Sequence, residues 1–204
     1  MTRKLMIAAC LVALVASALS MAVAAAKFNK KVDVGQRAPD WKGLKGTDDK
    51  PHSLADYKRA KVLVFTVTCN HCPVAQIYEE RFSEFAKTYK EKGVEFVAVC
   101  CGQEPVDSFD EMKKRASEKK FTYPYLHDAD QSVGRSYGAS STPQLFVLDG
   151  ERKIAYMGAF DDNENASKVK HQYVLDAVDA LLAGSKPEVT ETRPRGCGIV
   201  YPEK

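Results

Sequence analysis
Lys61-Val62-Leu63-Val64-Phe65-Thr66-Val67-Thr68-Cys69-Asn70-His71-Cys72-Pro73 joins two patterns at one point. The first eight residues are nearly all apolar and rich in β-branched types, as in a strand buried on both faces. After Pro73, the apolar residues Val74, Ile77, Tyr78, Phe82, Phe85, Ala86 and Tyr89 recur every three or four positions and give one helix face. Gly93 stops that helix, and Val94-Glu95-Phe96-Val97-Ala98-Val99-Cys100 reads as a second buried strand. Strand, helix and strand make a βαβ unit with parallel strands, so the class is α/β.

Working outward, a charged helix is expected over about 108–120, with Pro124 breaking the segment after it. Gln144-Leu145-Phe146-Val147-Leu148 is a third strand; Asp149-Gly150 signals a hairpin, and Lys153 to Met157 returns antiparallel. A last helix carries Val169, Tyr173, Val174, Ala177, Val178, Leu181 and Leu182 on one face, with Gly184 at its end and Pro187 beyond. Residues 188–204 have no period and contain Pro194, Gly196, Gly198 and Pro202, so they read as a tail draped over the surface.

The chain has 204 residues, 45% hydrophobic and 28% charged, the profile of one ordinary globular domain. Arg3 and Lys4 precede an apolar run from Leu5 to Ala26 that ends in Ala22-Val23-Ala24-Ala25-Ala26. Residues 1–26 read as a secretory signal peptide cut near Ala24 to Ala26, the alternative being an uncleaved N-terminal membrane anchor. Either way residues 27–184, the expected domain, and the tail 185–204 are exported to a periplasmic or other extracytoplasmic space. Removing Arg3 and Lys4 from the 30 basic residues leaves 28 against 27 acidic, too balanced a field to hold nucleic acid. No membrane contact is expected beyond such an anchor. Of six cysteines, Cys10 lies in the leader; five remain, an odd number.

Cys69 and Cys72 sit where the first strand hands over to the helix. Free backbone N–H groups and the positive helix end favour a thiolate there, and such sites lower a thiol pKa. The expected roles are Cys69 as nucleophile and Cys72 as the resolving thiol. His71 would add a cation beside the thiolate and push the couple toward oxidising potential. Asn70 and Pro73 complete the supporting loop. Structural zinc is the competing use of a Cys-x-x-Cys, but it needs two more ligands from Cys100, Cys101, His127 or Cys197, and no second pair has ligand spacing. No metal and no organic cofactor is expected, only the Cys69–Cys72 disulfide.

The run Phe65 to Ala75 resembles the thioredoxin-fold redoxin (AhpC/TSA-like) family, in particular its peroxiredoxin-like subgroup with a Cys-x-x-Cys. Gly35, Ala38-Pro39-Asp40 and Ser53-Leu54 resemble that family's entry hairpin, and Tyr137-Gly138 with Thr142-Pro143 resembles its cis-proline loop. Gly158, Asp161-Asp162 and the tail Gly196-Cys197-Gly198-Ile199 also resemble the subgroup. The resemblance implies a thioredoxin fold: a central mixed β-sheet flanked by helices, with an N-terminal hairpin extension and an irregular C-terminal tail. It implies that Pro143 lies against the cysteine pair and that the Thr142 backbone can pair with a substrate strand. Cys100, Cys101 and Cys197 are candidate auxiliary thiols, the alternative for the first two being simple packing of Cys100 with a free Cys101. Cys197 is open to a disulfide with Cys100 or Cys101, to exchange, or to an inert buried role.

The chain departs from its relatives in several places. Val62 stands where peroxiredoxins carry a proline, and a proline stands where their arginine is expected. Leu63 replaces the buried acid of cytosolic thioredoxins, and Ala75 replaces the glutamate of periplasmic reductases, leaving Glu79 and Glu80 as candidate proton acceptors. The expected activity is thiol–disulfide exchange with substrate proteins or small thiols, served by an upstream redox partner. A thiol peroxidase using Cys69 and a copper carrier of the same fold are the alternatives.

Overall fold
A computed structural model describes residues 26–203; the leader expected over 1–26 therefore lies almost wholly outside the described residues. No helix among the described residues is long and apolar enough to cross a membrane.

The strands are β1 (Leu44–Gly46), β2 (Pro51–His52), β3 (Val62–Thr68), β4 (Val94–Cys100), β5 (Tyr125–His127), β6 (Ser141–Thr142), β7 (Gln144–Leu148), β8 (Ile154–Gly158) and β9 (Cys197–Gly198). The helices are α1 (Pro73–Lys90), α2 (Phe109–Glu118), α3 (Ser132–Ser136) and α4 (Tyr173–Leu182). Seven strands form one mixed sheet in the order β2-β1-β5-β4-β3-β7-β8, and β6 and β9 form a separate pair. As the βαβ reading requires, β3 and β4 are parallel, from Val62 opposite Val94 to Thr68 opposite Cys100. β7 runs antiparallel to β3, and β8 antiparallel to β7. This is the thioredoxin fold.

Alternate residues of β3 serve two cores, because a strand side chain points to the opposite face at each step. Val62 and Val64 join Phe82, Phe85, Phe96, Val174 and Val178 under α1 and α4. Leu63, Phe65 and Val67 meet Trp41, Val97, Val99, Tyr137 and Phe146 on the other face. Phe82, 2% exposed, packs against both Phe96 and Phe160 at 5.2 Å between ring centroids. Burial of one such ring contributes about 1.5–3 kcal/mol.

The N-terminal extension is wider than a hairpin. Gly35 and Ala38 donate backbone hydrogen bonds to Ile154 and Arg152 at the β8 edge, while β1 and β2 pair at the opposite edge beside β5. Val169 lies ahead of α4 rather than on it, so the last helix is shorter than its apolar spacing suggests. The tail also differs from a simple drape: Thr190 and Thr192 bond to Met157, and β9 pairs antiparallel with β6, Thr142 opposite Cys197.

Candidate active site
β3 ends at Thr68 and α1 begins at Pro73, so four residues turn the chain at the carboxyl end of the sheet. Proline suits the first helical position because its missing N–H would have no helical acceptor there. Cys72 is the N-cap of α1, and the Ala75 N–H donates to its Sγ at 3.4 Å. The helix end therefore acts on Cys72 directly, not on Cys69 as the strand-to-helix pattern suggested. A two-residue gap places the second cysteine, not the first, at the cap.

Asn70 and Asp107 hold this turn. Asn70 is 1% exposed. Its side-chain amide donates to Val106 O at 2.8 Å, its Oδ1 accepts from Tyr125 Oη at 2.8 Å, and its carbonyl accepts from Gln76 Nε2 at 2.7 Å. Asp107, also 1% exposed, arrives from the 3-10 turn Pro105–Asp107 that follows β4. Its Oδ1 accepts from the backbone N–H of Asn70 (2.7 Å) and of His71 (3.2 Å), and its Oδ2 accepts from the Glu104 N–H (3.0 Å). Oδ2 also lies 2.6 Å from His71 Nδ1, which turns Nε2 toward Cys69 Sγ at 3.6 Å. A Cβ at Gly102 would stand 2.2 Å from the Asp107 carboxyl carbon, so the close approach of this carboxylate requires glycine there.

Asp107 was missed by sequence reasoning, which looked to Glu79 and Glu80 for a carboxylate. Glu79 is instead held by Arg115 through two hydrogen bonds, and Glu80 faces solvent. The signal present was an acid in a Pro-led turn just past β4, at the same sheet end as Cys69.

Thr142 touches both active-site sulfurs. Its hydroxyl lies 3.2 Å from Cys69 Sγ, and its carbonyl oxygen lies 3.1 Å from Cys72 Sγ. The Thr142–Pro143 peptide bond is cis. The Thr142 backbone, expected to be open to a substrate strand, already pairs with Cys197 of the tail. Cys197 Sγ lies 2.6 Å from Cys72 Sγ, so the tail cysteine meets the active pair and not Cys100 or Cys101.

The two thiols of the reduced pair titrate together. A hydrogen bond from Cys69, with support from Cys197 and the Ala75 N–H, brings the Cys72 thiol down to about 4. The same bond, with burial, pushes the Cys69 thiol up. The helix cap thus draws the pair's charge toward Cys72. Transfer of a proton from Cys69 to Cys72 leaves a Cys69 thiolate facing the Thr142 hydroxyl and His71, and a Cys72 thiol facing the Thr142 carbonyl. Thr142 thus provides a partner for each sulfur in the second state. Burial pushes the Cys100 thiol up to about 11 and raises that of Cys101, so both stay protonated.

Cys72 is fully buried, whereas Cys69, 3% exposed, lines a narrow cleft of about 90 Å³ with His71, Thr142, Gln103 and Gly198. Cys101 lines the same cleft. Two larger clefts, of about 370 and 480 Å³, touch none of the cysteines. Cys69, His71 and Asp107 bring ligand atoms within 4.8 Å of one another, the spacing of a metal site. A carboxylate offers about four lone-pair sites, and those of Asp107 face four N–H groups, which leaves it poorly placed to bind an ion.

The family model described as Redoxin matches residues 33–173. The thiol-disulfide oxidoreductase ResA of Geobacillus thermodenitrificans is 28% identical over 145 residues, 69% of this chain and 79% of that protein. Peroxiredoxin 2 of Picrophilus torridus is 26% identical over 183 residues, 84% of this chain and 88% of that protein. The crystal structure of a hypothetical protein from Sinorhizobium meliloti superposes with a TM-score of 0.78 at 31% identity, covering 84% of this chain and 96% of that one. With its βαβ core, its cis Thr142–Pro143 loop and a match over most of its length, the chain belongs to the Redoxin family.

Proposed function
We propose that this protein is an exported thiol–disulfide oxidoreductase of the Cys-x-x-Cys subgroup, acting on protein or small thiols in a periplasmic or other extracytoplasmic space. The observation that carries the reading is that Thr142 contacts both sulfurs, its hydroxyl at 3.2 Å from Cys69 Sγ and its carbonyl oxygen at 3.1 Å from Cys72 Sγ, while of the two only Cys69 borders a cleft. Cys69 thiolate attacks one sulfur of a substrate disulfide, forming a mixed disulfide and releasing the other sulfur as a thiolate. Cys72 then passes its proton to the released substrate thiolate and attacks the Cys69 sulfur. The Cys69–Cys72 disulfide forms, and the second substrate thiolate leaves. The reverse sequence oxidises a substrate dithiol. An upstream redox partner resets the pair, and neither metal nor organic cofactor takes part. The likeness to ResA and the leader-like residues 1–26 support this reading.

The likeness to Peroxiredoxin 2 favours a second reading, in which peroxide oxidises Cys69 to the sulfenic acid and Cys72 resolves it. Two assays on the mature protein separate them: catalysed reduction of insulin disulfides, and stopped-flow consumption of hydrogen peroxide. The expected outcome is insulin turnover with a peroxide rate no greater than that of a free thiol. Fast peroxide consumption with negligible insulin turnover would replace the first reading with the second.

A further inference from the structure
We propose that Cys197 is a third redox thiol of this site, exchanging directly with Cys72. The proposal rests on the exchange reading above and deepens it. Cys72 is fully buried, so an external thiol has no route to it. Cys197 alone reaches it from the tail, with its Sγ at 2.6 Å, about half an ångström beyond the covalent sulfur–sulfur length of about 2.05 Å.

The placement is built by the chain. β9 adds to β6 through the backbone of Thr142, the residue that also contacts both active sulfurs. Gly196, at φ +142°, lets the strap come close: a Cβ there would stand 1.8 Å from the Thr142 carbonyl oxygen. Ile199 N–H donates to Ser140 O at 3.1 Å, and Tyr201 Oη to Ala139 O at 2.8 Å, which pin the strap beyond the cysteine.

The exchange balances within the chain. Cys197 thiolate attacks the Cys72 sulfur of the Cys69–Cys72 disulfide; the Cys72–Cys197 bond forms, the Cys69–Cys72 bond breaks, and the electron pair leaves on Cys69. The oxidising equivalent is retained, while the cleft-facing nucleophile is regenerated as a thiolate. In the reduced state its hydrogen bond with Cys72, with burial, holds the Cys197 thiol up at about 11. Disulfide formation at Cys72 removes that hydrogen bond.

The test uses the mature protein carrying Cys69→Ser, equilibrated in glutathione buffers, alkylated, and digested with trypsin without reduction. Cys72 then lies in the peptide 62–81, Cys197 in 196–204, and Cys100 with Cys101 in 93–113. The expected result is a cross-link between 62–81 and 196–204 in most molecules, lost by about tenfold or more when Gly196→Ala is added. Four free or glutathione-bound thiols, a link from 196–204 to 93–113, or a yield indifferent to Gly196→Ala would overturn the proposal. Wild-type protein run beside it separates the two claims. A disulfide within 62–81 together with insulin turnover, but no cross-link in Cys69→Ser, would sink the role of Cys197 and leave the exchange reading standing. Absence from wild-type protein of any disulfide on 62–81, internal or to 196–204, would sink the exchange reading.

Discussion

Replacing Cys69 with serine is expected to lower insulin-disulfide turnover at least about a thousandfold, because no other sulfur among the described residues both borders the cleft and has proton acceptors arranged around it. Cys101 reaches the same cleft, but burial raises its thiol and keeps it protonated. Cys72→Ser should act differently. Cys69 can still attack, yet the resolving sulfur is gone, so a mixed disulfide with substrate accumulates and is visible by mass. Serine at 72 also removes the base that accepts the Cys69 proton, so trapping should be slower than the first step in wild-type protein. Full turnover by either single variant would show that the roles are assigned wrongly.

Asp107→Ala is expected to cost about 3–5 kcal/mol of stability, the range for removing one partner of a buried charged network. The carboxylate is the acceptor for three backbone N–H groups, those of Asn70, His71 and Glu104, and a partner for the His71 ring. Each donor left buried without an acceptor costs about 1–3 kcal/mol, reduced where water enters. For a chain of this size the melting temperature should fall by roughly 10 °C or more. The same change frees His71 and loosens residues 69–71, so alkylation of Cys69 should slow even below the melting transition. Melting followed by circular dichroism, with alkylation rates measured at low temperature, checks both parts. A melting temperature within a degree or two of wild type would mean that Asp107 does not hold the turn.

The parts of the molecule legible in the sequence are those whose burial imposes a period. β3, α1, β4, β7 and β8 fall within a few residues of their expected places because each buries several side chains in a regular pattern. β1, β2, β6 and β9 are two or three residues long, too short for any period, and hydrogen bonding to distant segments defines them. Val169 shows the opposite failure: its spacing fits α4, but the 3-10 turn Ala166–Lys168 ends just before it and the helix starts at Tyr173. At the site, Cys69 and Cys72 are visible as a local motif, and Thr142-Pro143 through family resemblance. Cys197 was visible through the same resemblance as an auxiliary thiol, but its partner Cys72 was not, and Asp107 was not readable at all. Asp107 and Cys197 lie 37 and 125 residues from Asn70 and Cys72, and only the folded sheet brings them there.

The charge held by the pair also sets how the protein responds to pH. A Cys72 thiol lowered from 9.0 to about 4 binds fewer protons in the reduced fold than in the unfolded chain between those values. Stability of the reduced form from this source is therefore present toward pH 9 and is lost as pH falls through about 4. The disulfide form has no such thiolate, so the effect favours the reduced state and makes the couple more oxidising.

The most direct measurement is the ultraviolet thiolate absorbance of reduced minus oxidised mature protein, titrated from acid to alkali. One thiolate per molecule should persist down to about pH 4, and either Cys69→Ser or Cys72→Ser should shift that step, because the charge belongs to the pair. If every thiol instead ionises only near 9, with no step on the acid side of neutrality, the jointly titrating pair does not exist and the chemistry built on Cys69 and Cys72 is wrong.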